Sequence, residues 1–393
     1  MTASRAPVAP VGGLTGVQVA PLVALALLVP AQLYLAIPLS PTFGEVFGVD
    51  DTAAVWAGSA FAIAYAVGFL VFGPLSDQVG RRAVLVVGTV ATAVATVLAG
   101  VATEWEVFLA CRALQGFAAS SFAPVALVLV AERVAPERRA TVMTAVTGGL
   151  LGAGVVGQAV GALAVDAWRL PFWVGAVCYA TTAFVLARLL PPDRPVASTS
   201  WRGAPRTMAR LATTWPAVAV FAAAPTVFGG FVAVYAVLGP HLAATTGITA
   251  SGQVGVRAVG AIALVVAPVV SGLLSRRGPR HVPVAGFLTA AVGMLVALAG
   301  ADLPVIAVAG SVVVVAGMGL AVPGLVGLLH TLVPAAAGTA IAVNTCVLFA
   351  GAALAQPLAA SLGYRPTLIT YAVALVAAAV LVGTSARPSG GTS

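Results

Sequence analysis

TAAVWAGSAFAIAYAVGFLVFGP (Thr52–Pro74), LSDQVGRR (Leu75–Arg82) and AVLVVGTVATAVATVLAGV (Ala83–Val101) follow one another directly in the chain. The outer stretches hold 23 and 19 residues without a charge, and the eight residues between them hold three charges, Asp77, Arg81 and Arg82. At about 1.5 Å per residue, each outer stretch in helical form matches the roughly 30 Å hydrocarbon layer of a bilayer. Membrane-spanning strands alternate polar and apolar side chains, and these stretches do not. Two membrane helices joined by a charged connector are predicted, because a helix satisfies its own backbone in lipid.

The same alternation runs along the whole chain. Of its 393 residues, 61% are hydrophobic and 8% charged, against about 45–50% and about 25% in soluble domains. The mean hydropathy is +1.08. A single soluble core stops growing near about 250–300 residues, so it cannot hide this much aliphatic surface. Apolar runs of spanning length occupy Val17–Pro38, Thr52–Pro74, Ala83–Val101, Val107–Val130, Thr141–Val165 and Pro171–Leu190. A second set occupies Trp215–Leu238, Ser251–Leu274, Val282–Ala299, Val305–Val333, Gly338–Leu362 and Thr367–Gly383. The expected fold class is an all-α membrane protein with twelve transmembrane helices.

Charge placement tests that count. The net charge is +8, and all 19 basic residues are Arg. They sit in the short gaps between apolar runs, which is the mark of membrane topology and argues against nucleic-acid binding. With the N-terminus inside, fifteen of them fall on the cytoplasmic side: Arg5, Arg81, Arg82, Arg133, Arg138, Arg139, Arg188, Arg194, Arg202, Arg206, Arg210, Arg276, Arg277, Arg280 and Arg387. Only Arg169 and Arg365 fall outside, and Arg112 and Arg257 lie within spans. Both termini are therefore expected in the cytoplasm. The first span follows a Pro- and Gly-rich start without a small-residue cleavage site, so it is read as a retained helix. Arg in place of Lys, with heavy Ala, Val and Gly usage, fits a bacterial cytoplasmic membrane.

The polar stretch 191–214 divides the chain into two expected six-helix bundles, 1–190 and 215–393. A weak internal repeat supports the division. PERRATVMTAV from Pro136 aligns with PAAAGTAIAVN from Pro334, which sets Gln158 on Gln356, and GPLS at Gly73–Ser76 is echoed by GLLS at Gly272–Ser275. Parallel repeats of this kind are related across the membrane normal. Cys111, Cys178 and Cys346 all fall within apolar runs and read as small packing residues, not as a disulfide or metal framework.

GPLSDQVGRR, Gly73 to Arg82, resembles the signature loop of the major facilitator superfamily, of form G-x-L-[AS]-D-x-x-G-R-[RK]. Gly73 is expected to allow close helix approach and Gly80 a tight turn, while Arg81 and Arg82 hold the loop in the cytoplasm. The resemblance implies that Asp77 latches the two halves in the outward-open state. Gln78 departs from the basic residue usual there. In the fourth span, Arg112-Ala113-Leu114-Gln115-Gly116 resembles the family's R-x-x-Q-G motif, which implies a part for Arg112 in proton transfer, with Gln115 as its hydrogen-bonding neighbour. GQAVGA at Gly157–Ala162 is partly similar to the motif of drug:proton antiporters, with Gln158 where proline is usual. QLYLAIPLSPTFGEVFGV resembles the first-span region of multidrug and chloramphenicol-type exporters. Pro38 and Pro41 are expected to stop the helix there, and Gln32 and Tyr34 stand where such exporters carry a carboxylate. The implied fold is two pseudo-symmetric six-helix bundles working by alternating access.

None of the eleven acids falls at mid-membrane, where a proton carrier usually sits. Coupling is assigned to Asp77, Arg112 and Glu132. A cavity lined by Gln32, Tyr34, Gln115, Gln158, Tyr235, Arg257, Asn344 and Gln356 would offer scattered amides and phenols on an apolar wall. That suits amphipathic molecules better than sugars, which need dense hydrogen bonding. The histidines have no metal-ligand spacing, and no Ser/His/Asp set, HExxH or phosphate loop points to an enzyme. The expected function is secondary active export of hydrophobic or amphipathic small molecules, a drug or secondary metabolite, in exchange for protons. The alternative is an importer or passive facilitator of a small organic metabolite. The expected partners are the substrate, protons and the bilayer, with no cofactor and no metal, and the chain is expected to act as a monomer.

Overall fold

A computed structural model of the chain describes residues 14–192, 211, 213–249, 252–253, 255–260, 263, 270, 273–274, 277–333 and 337–385. Among them the regular elements are all helical. In chain order these are α1 (Gly16–Tyr34), α2 (Ala36–Phe47), α3 (Asp51–Ala54), α4 (Trp56–Val79), α5 (Arg81–Val101), α6 (Trp105–Ala119), α7 (Ala123–Arg133), α8 (Pro136–Leu163) and α9 (Leu170–Leu189). They continue with α10 (Trp215–Thr246), α11 (His281–Ala299), α12 (Pro304–Leu332), α13 (Ala337–Leu362) and α14 (Tyr364–Ser385). Ten stretches among the described residues are helical, long and apolar enough to cross a membrane. The 28-residue α8 carries a shorter apolar stretch, Gly148–Leu163. The expected eighth span, Ser251–Leu274, and the linker 191–214 lie largely outside the described residues. The described positions of that span, such as 255–260, are helical.

Two breaks differ from the sequence reading. The first span does not stop at Pro38 and Pro41. It bends at Leu35 and runs on as α2 to Phe47. Pro38 has no N–H to offer the Tyr34 carbonyl, so the ladder is cut there, but the proline φ still suits the first turn of a new helix. The LSDQVGRR connector is not an eight-residue loop either. Helix α4 continues through Pro74 to Val79, and the turn is Gly80 alone, at φ 97° and ψ 148°. Only glycine enters that backbone region without strain.

Small residues decide how the helices meet. Gly286 and Gly293 on α11, with Gly300 just past its end, lie against α12, and Gly310, Gly317 and Gly324 on α12 lie against α11, each series spaced by seven residues. A Cβ on Gly293 would lie 2.8 Å from Gly310 O, and one on Gly317 would lie 2.6 Å from Gly286 O. A seven-residue repeat keeps one seam facing its partner over several turns, so these antiparallel helices touch backbone to backbone. In the same way Gly116 on α6 meets Phe61, Gly157 and Gly161 on α8 meet Ala31 and Leu35, and Gly351 on α13 meets Pro225. Helices α1 to α9 pack chiefly with one another, as do α10 to α14, and α4 packs along α13 to join the two groups.

Candidate functional site

Among the described residues, the polar contacts that join the two groups of helices fall at one end. Ser59 on α4 donates its hydroxyl to Ala353 O at 2.5 Å. Its neighbour Gly58 lies against Gln356 Oε1, which a Cβ there would approach to 3.1 Å. Gln158 on α8 accepts from Arg257 Nε at 2.8 Å, and both residues are buried. A small cavity beside these contacts is lined by Tyr34, Gly58, Ser59, Val232, Ala352 and Gln356. Further along the same helices the packing loosens. Residues 70–75 of α4 are all half-buried, whereas 57–59, 61 and 62 are buried. On α13, 349–351 are half-buried, whereas 352, 353, 355 and 356 are buried. The groups are thus clasped near Ser59 and packed less tightly over residues 70–75, with Asn344 and Leu348 of α13 still buried between.

An aromatic chain lines the cleft between the groups. Tyr34 meets Phe231 edge-on with centroids 5.7 Å apart, and Phe231 meets Tyr235 at 5.4 Å. Phe231 continues to Phe228, Phe228 to Phe349 at 5.0 Å, and Phe349 to Tyr65 at 4.9 Å. Tyr65 leads on to Phe61, whose ring lies 4.8 Å from the Arg112 guanidinium carbon. Edge-on ring pairs of this kind add to simple area burial.

Arg112 is fully buried. Its Nε donates to Ala57 O at 3.1 Å, Nη2 to Gln32 O at 2.8 Å and Nη1 to Gln115 Oε1 at 2.5 Å. Gln115 Nε2 donates to Thr96 Oγ1 at 2.8 Å, and Gln32 Nε2 to Pro171 O at 3.2 Å. An arginine in lipid must find acceptors, and here each of its three nitrogens donates to a neutral one. Gln115 Oε1 and the main-chain carbonyl of Gln32 hold Arg112, while the Gln32 amide donates to Pro171 O, so both expected cavity residues are bonded within α1–α9.

At the other end of the cleft, Arg81 is turned inward and 8% exposed. It pairs with Asp77, reaches Glu132 Oε1 at 3.0 Å and donates to Ser76 Oγ at 2.6 Å. Arg82 donates to Ala187 O at 2.6 Å. All these partners belong to α4–α9. Arg112 shares no hydrogen bond or ion pair with Asp77 or Glu132 among the described residues, so the residues expected to couple protons form two separate clusters. Gly73 makes no close approach in this conformation, because a Cβ there would meet nothing within 4 Å.

The remaining expected residues are placed as follows. Gln356 lies against Gly58, and Tyr34 borders the cavity. The Tyr235 hydroxyl abuts Gly260, one turn beyond Arg257. Asn344 is buried, and neither of its side-chain polar atoms has a partner among the described residues. Sequence reasoning missed Ser59, Phe61, Tyr65, Phe228, Phe231 and Phe349. Within a run of apolar residues nothing marks a Phe that faces another helix from one that faces lipid.

Comparison with known proteins agrees with this arrangement. The chain's backbone superposes on the crystal structure of a D-xylose-proton symporter with a TM-score of 0.73, at 15% identity, over 94% of this chain and 97% of that one. An MFS-type transporter of Bacillus subtilis (strain 168) is 29% identical over 163 residues, 41% of this chain and 42% of that protein. The inner membrane transport protein YnfM of Escherichia coli (strain K12) is 29% identical over 181 residues, 45% and 43% of the two chains. The puromycin resistance protein pur8 of Streptomyces alboniger is 34% identical over 160 residues, 39% of this chain and 31% of that protein. The matched segments thus span less than half the length of these curated relatives. The sequence profile of the Major Facilitator Superfamily matches residues 22–356, most of the chain. With that match, the multi-pass helical fold and a cleft between two helix groups, the chain belongs to the Major Facilitator Superfamily.

Proposed function

We propose that the chain is a secondary active transporter that exports hydrophobic or amphipathic small molecules by alternating access, in exchange for protons. The observation that carries this reading is the asymmetric cleft, clasped by Ser59–Ala353 and Gln158–Arg257 at one end and loosely packed at the other. Residues 1–190 and 215–393 act as the two rocking bundles in this reading, with 191–214 as the link between them. The chain lies in a bacterial cytoplasmic membrane with both termini inside. The Asp77 end then faces the cytoplasm, and the conformation is the inward-facing one. Asp77 is held by Arg81 of its own bundle here, as a latch released in that state would be. Export is favoured by the aromatic wall from Tyr34 to Phe349, which suits an apolar cargo, and by the likeness to a puromycin resistance protein.

Proton exchange falls to Asp77 and Glu132 around Arg81. A second reading, a passive facilitator, is favoured by one fact: apart from half-buried Asp77, the described Asp and Glu side chains with assigned exposure are exposed. One experiment separates the readings. Cells making the chain should accumulate less puromycin than cells without it, and vesicles carrying the purified protein should move puromycin faster under an imposed pH gradient. Raised accumulation would reverse the direction. A flux indifferent to the gradient would leave the facilitator.

A further inference from the structure

The charge distribution inside the helices bears on what is carried. Three arginines are buried among the described residues, Arg81, Arg112 and Arg257, and of these only Arg81 is paired with carboxylates. No described Asp or Glu is buried with them; Asp77, the least exposed, sits in the Arg81 turn. A buried cation is costly until something negative or strongly polar answers it. For Arg112 the answer is complete, since Nε, Nη1 and Nη2 each have an acceptor and two rings flank the group.

Arg257 is different. It is 3% exposed, and its one close hydrogen bond is Nε to Gln158 Oε1 at 2.8 Å. Nη2 reaches Gln253 Oε1 only at 3.4 Å, and Nη1 has no partner among the described residues. The edge carrying Nη1 and Nη2 is the edge that takes two oxygens of a planar oxyanion in parallel. Beside it, the rings of Tyr235, Phe231 and Tyr34 form a continuous apolar face running toward the other bundle.

Resting on the transport reading above, we infer that the cargo is an amphipathic organic anion. Its carboxylate is received by the free edge of Arg257, and its apolar body lies along Tyr34, Phe231 and Tyr235. Arg257 also closes the clasp with Gln158, so cargo and clasp are linked through one side chain. A carboxylate is a stronger acceptor than the Gln158 amide. Binding it draws the guanidinium off Gln158 and frees the bundles to part. An anion leaving the cell also moves with the inside-negative potential, which gives export a driving force that needs no buried carboxylate.

The test uses pyrenebutyrate and its neutral N-methylamide, which share one ring body and differ in charge. Binding to the purified full-length protein is read by fluorescence anisotropy, and flux is read in reconstituted vesicles. The wild-type protein should bind the carboxylate at least about tenfold more tightly than the amide, as a charge-assisted paired contact allows. Arg257→Gln should abolish the preference, so that carboxylate and amide bind alike, and the ratio of the two affinities is the readout because the lost clasp bond to Gln158 acts on both probes equally. Arg257→Lys should keep part of the preference. Equal affinities in the wild type, with the amide still bound and moved, would overturn the anion assignment and leave the transport reading standing. A preference that survives in Arg257→Gln would overturn it as well. Failure of both probes to bind or move would overturn this inference, and the transport reading would then stand or fall on the puromycin flux alone.

Discussion

Replacing Gln158 by Ala removes the Oε1 acceptor that holds Arg257 at 2.8 Å and leaves the guanidinium only the 3.4 Å contact to Gln253. The amide also donates to Gly154 O at 3.0 Å, but that bond lies within α8 and survives when the bundles part, so its loss cancels. The Arg257 bond exists only while the bundles are closed at this end. A hydrogen bond to a charged group is worth about 1.5–3 kcal/mol, so its loss shifts the equilibrium toward opening by about 10- to 160-fold. The Ser59 hydroxyl offers a neutral comparison. Ser59→Ala removes the bond to Ala353 O, worth about 0.5–1.5 kcal/mol, and shifts the same equilibrium by about 2- to 10-fold. A reporter cysteine at Ala352, buried beside the cavity, reads the shift in a background without Cys111, Cys178 and Cys346. A membrane-impermeant maleimide added outside intact cells labels it only when this end opens. Labelling should quicken in the order parent, Ser59→Ala, Gln158→Ala, and Gln158→Glu should slow it by turning the amide contact into an ion pair. If Gln158→Ala labels within twofold of the parent, or Ser59→Ala exceeds it, the clasp does not hold the closed state and the reasoning fails.

Three further outcomes follow from the packing. Arg112→Leu strips Gln115 Oε1 of its donor in a fully buried site, at a cost of about 1–3 kcal/mol. A melting temperature in detergent equal to that of the wild type would contradict it. Gly310→Ala drives a Cβ to within 2.7 Å of Gly293 O and should destabilise by the about 1–3 kcal/mol typical of overpacking. Gly327→Ala on the same helix, with nothing within 4 Å, should be neutral or up to about 1 kcal/mol stabilising. The Gly310→Ala melting temperature must therefore fall below those of the wild type and of Gly327→Ala, and coincident curves would refute the packing. Gly80→Ala forces a side chain into φ 97°, a strain of about 1–3 kcal/mol. Thermal stability should fall accordingly, and a mass-spectrometric exchange experiment should find the Asp77–Arg81 turn opened; unchanged protection there would count against the glycine's role.

Reading the chain residue by residue reached much of the site. Arg112 and Gln115 stood out because a charge inside an apolar run must be compensated, and they do form one network. Asp77, Arg81 and Glu132 stood out as charges at helix ends, and they do meet. The aromatic chain and Ser59 stayed hidden. Phe61 is fully buried and Phe184 is 57% exposed, yet both are a Phe in an apolar helix. Gln32 looked like a cavity residue because an amide in a span invites a ligand. Its amide turned out to donate to Pro171 O, and its main-chain carbonyl to accept from Arg112.

The amino-acid order by itself determined that the chain crosses a bilayer many times, where most spans begin and end, and which family it belongs to. The spans follow from solvation, because apolar length and arginine position respond to lipid and water without reference to any neighbour, whereas the family follows from the motifs at Gly73–Arg82 and Arg112–Gly116. Only the tertiary structure decided which faces meet, that Gln158 closes on Arg257, and that Arg112 is satisfied while Arg257 keeps a donor free. In lipid both faces of a helix are apolar, so inward and outward sides carry no distinguishing pattern. They are told apart by close packing, which exists only once the helices are assembled.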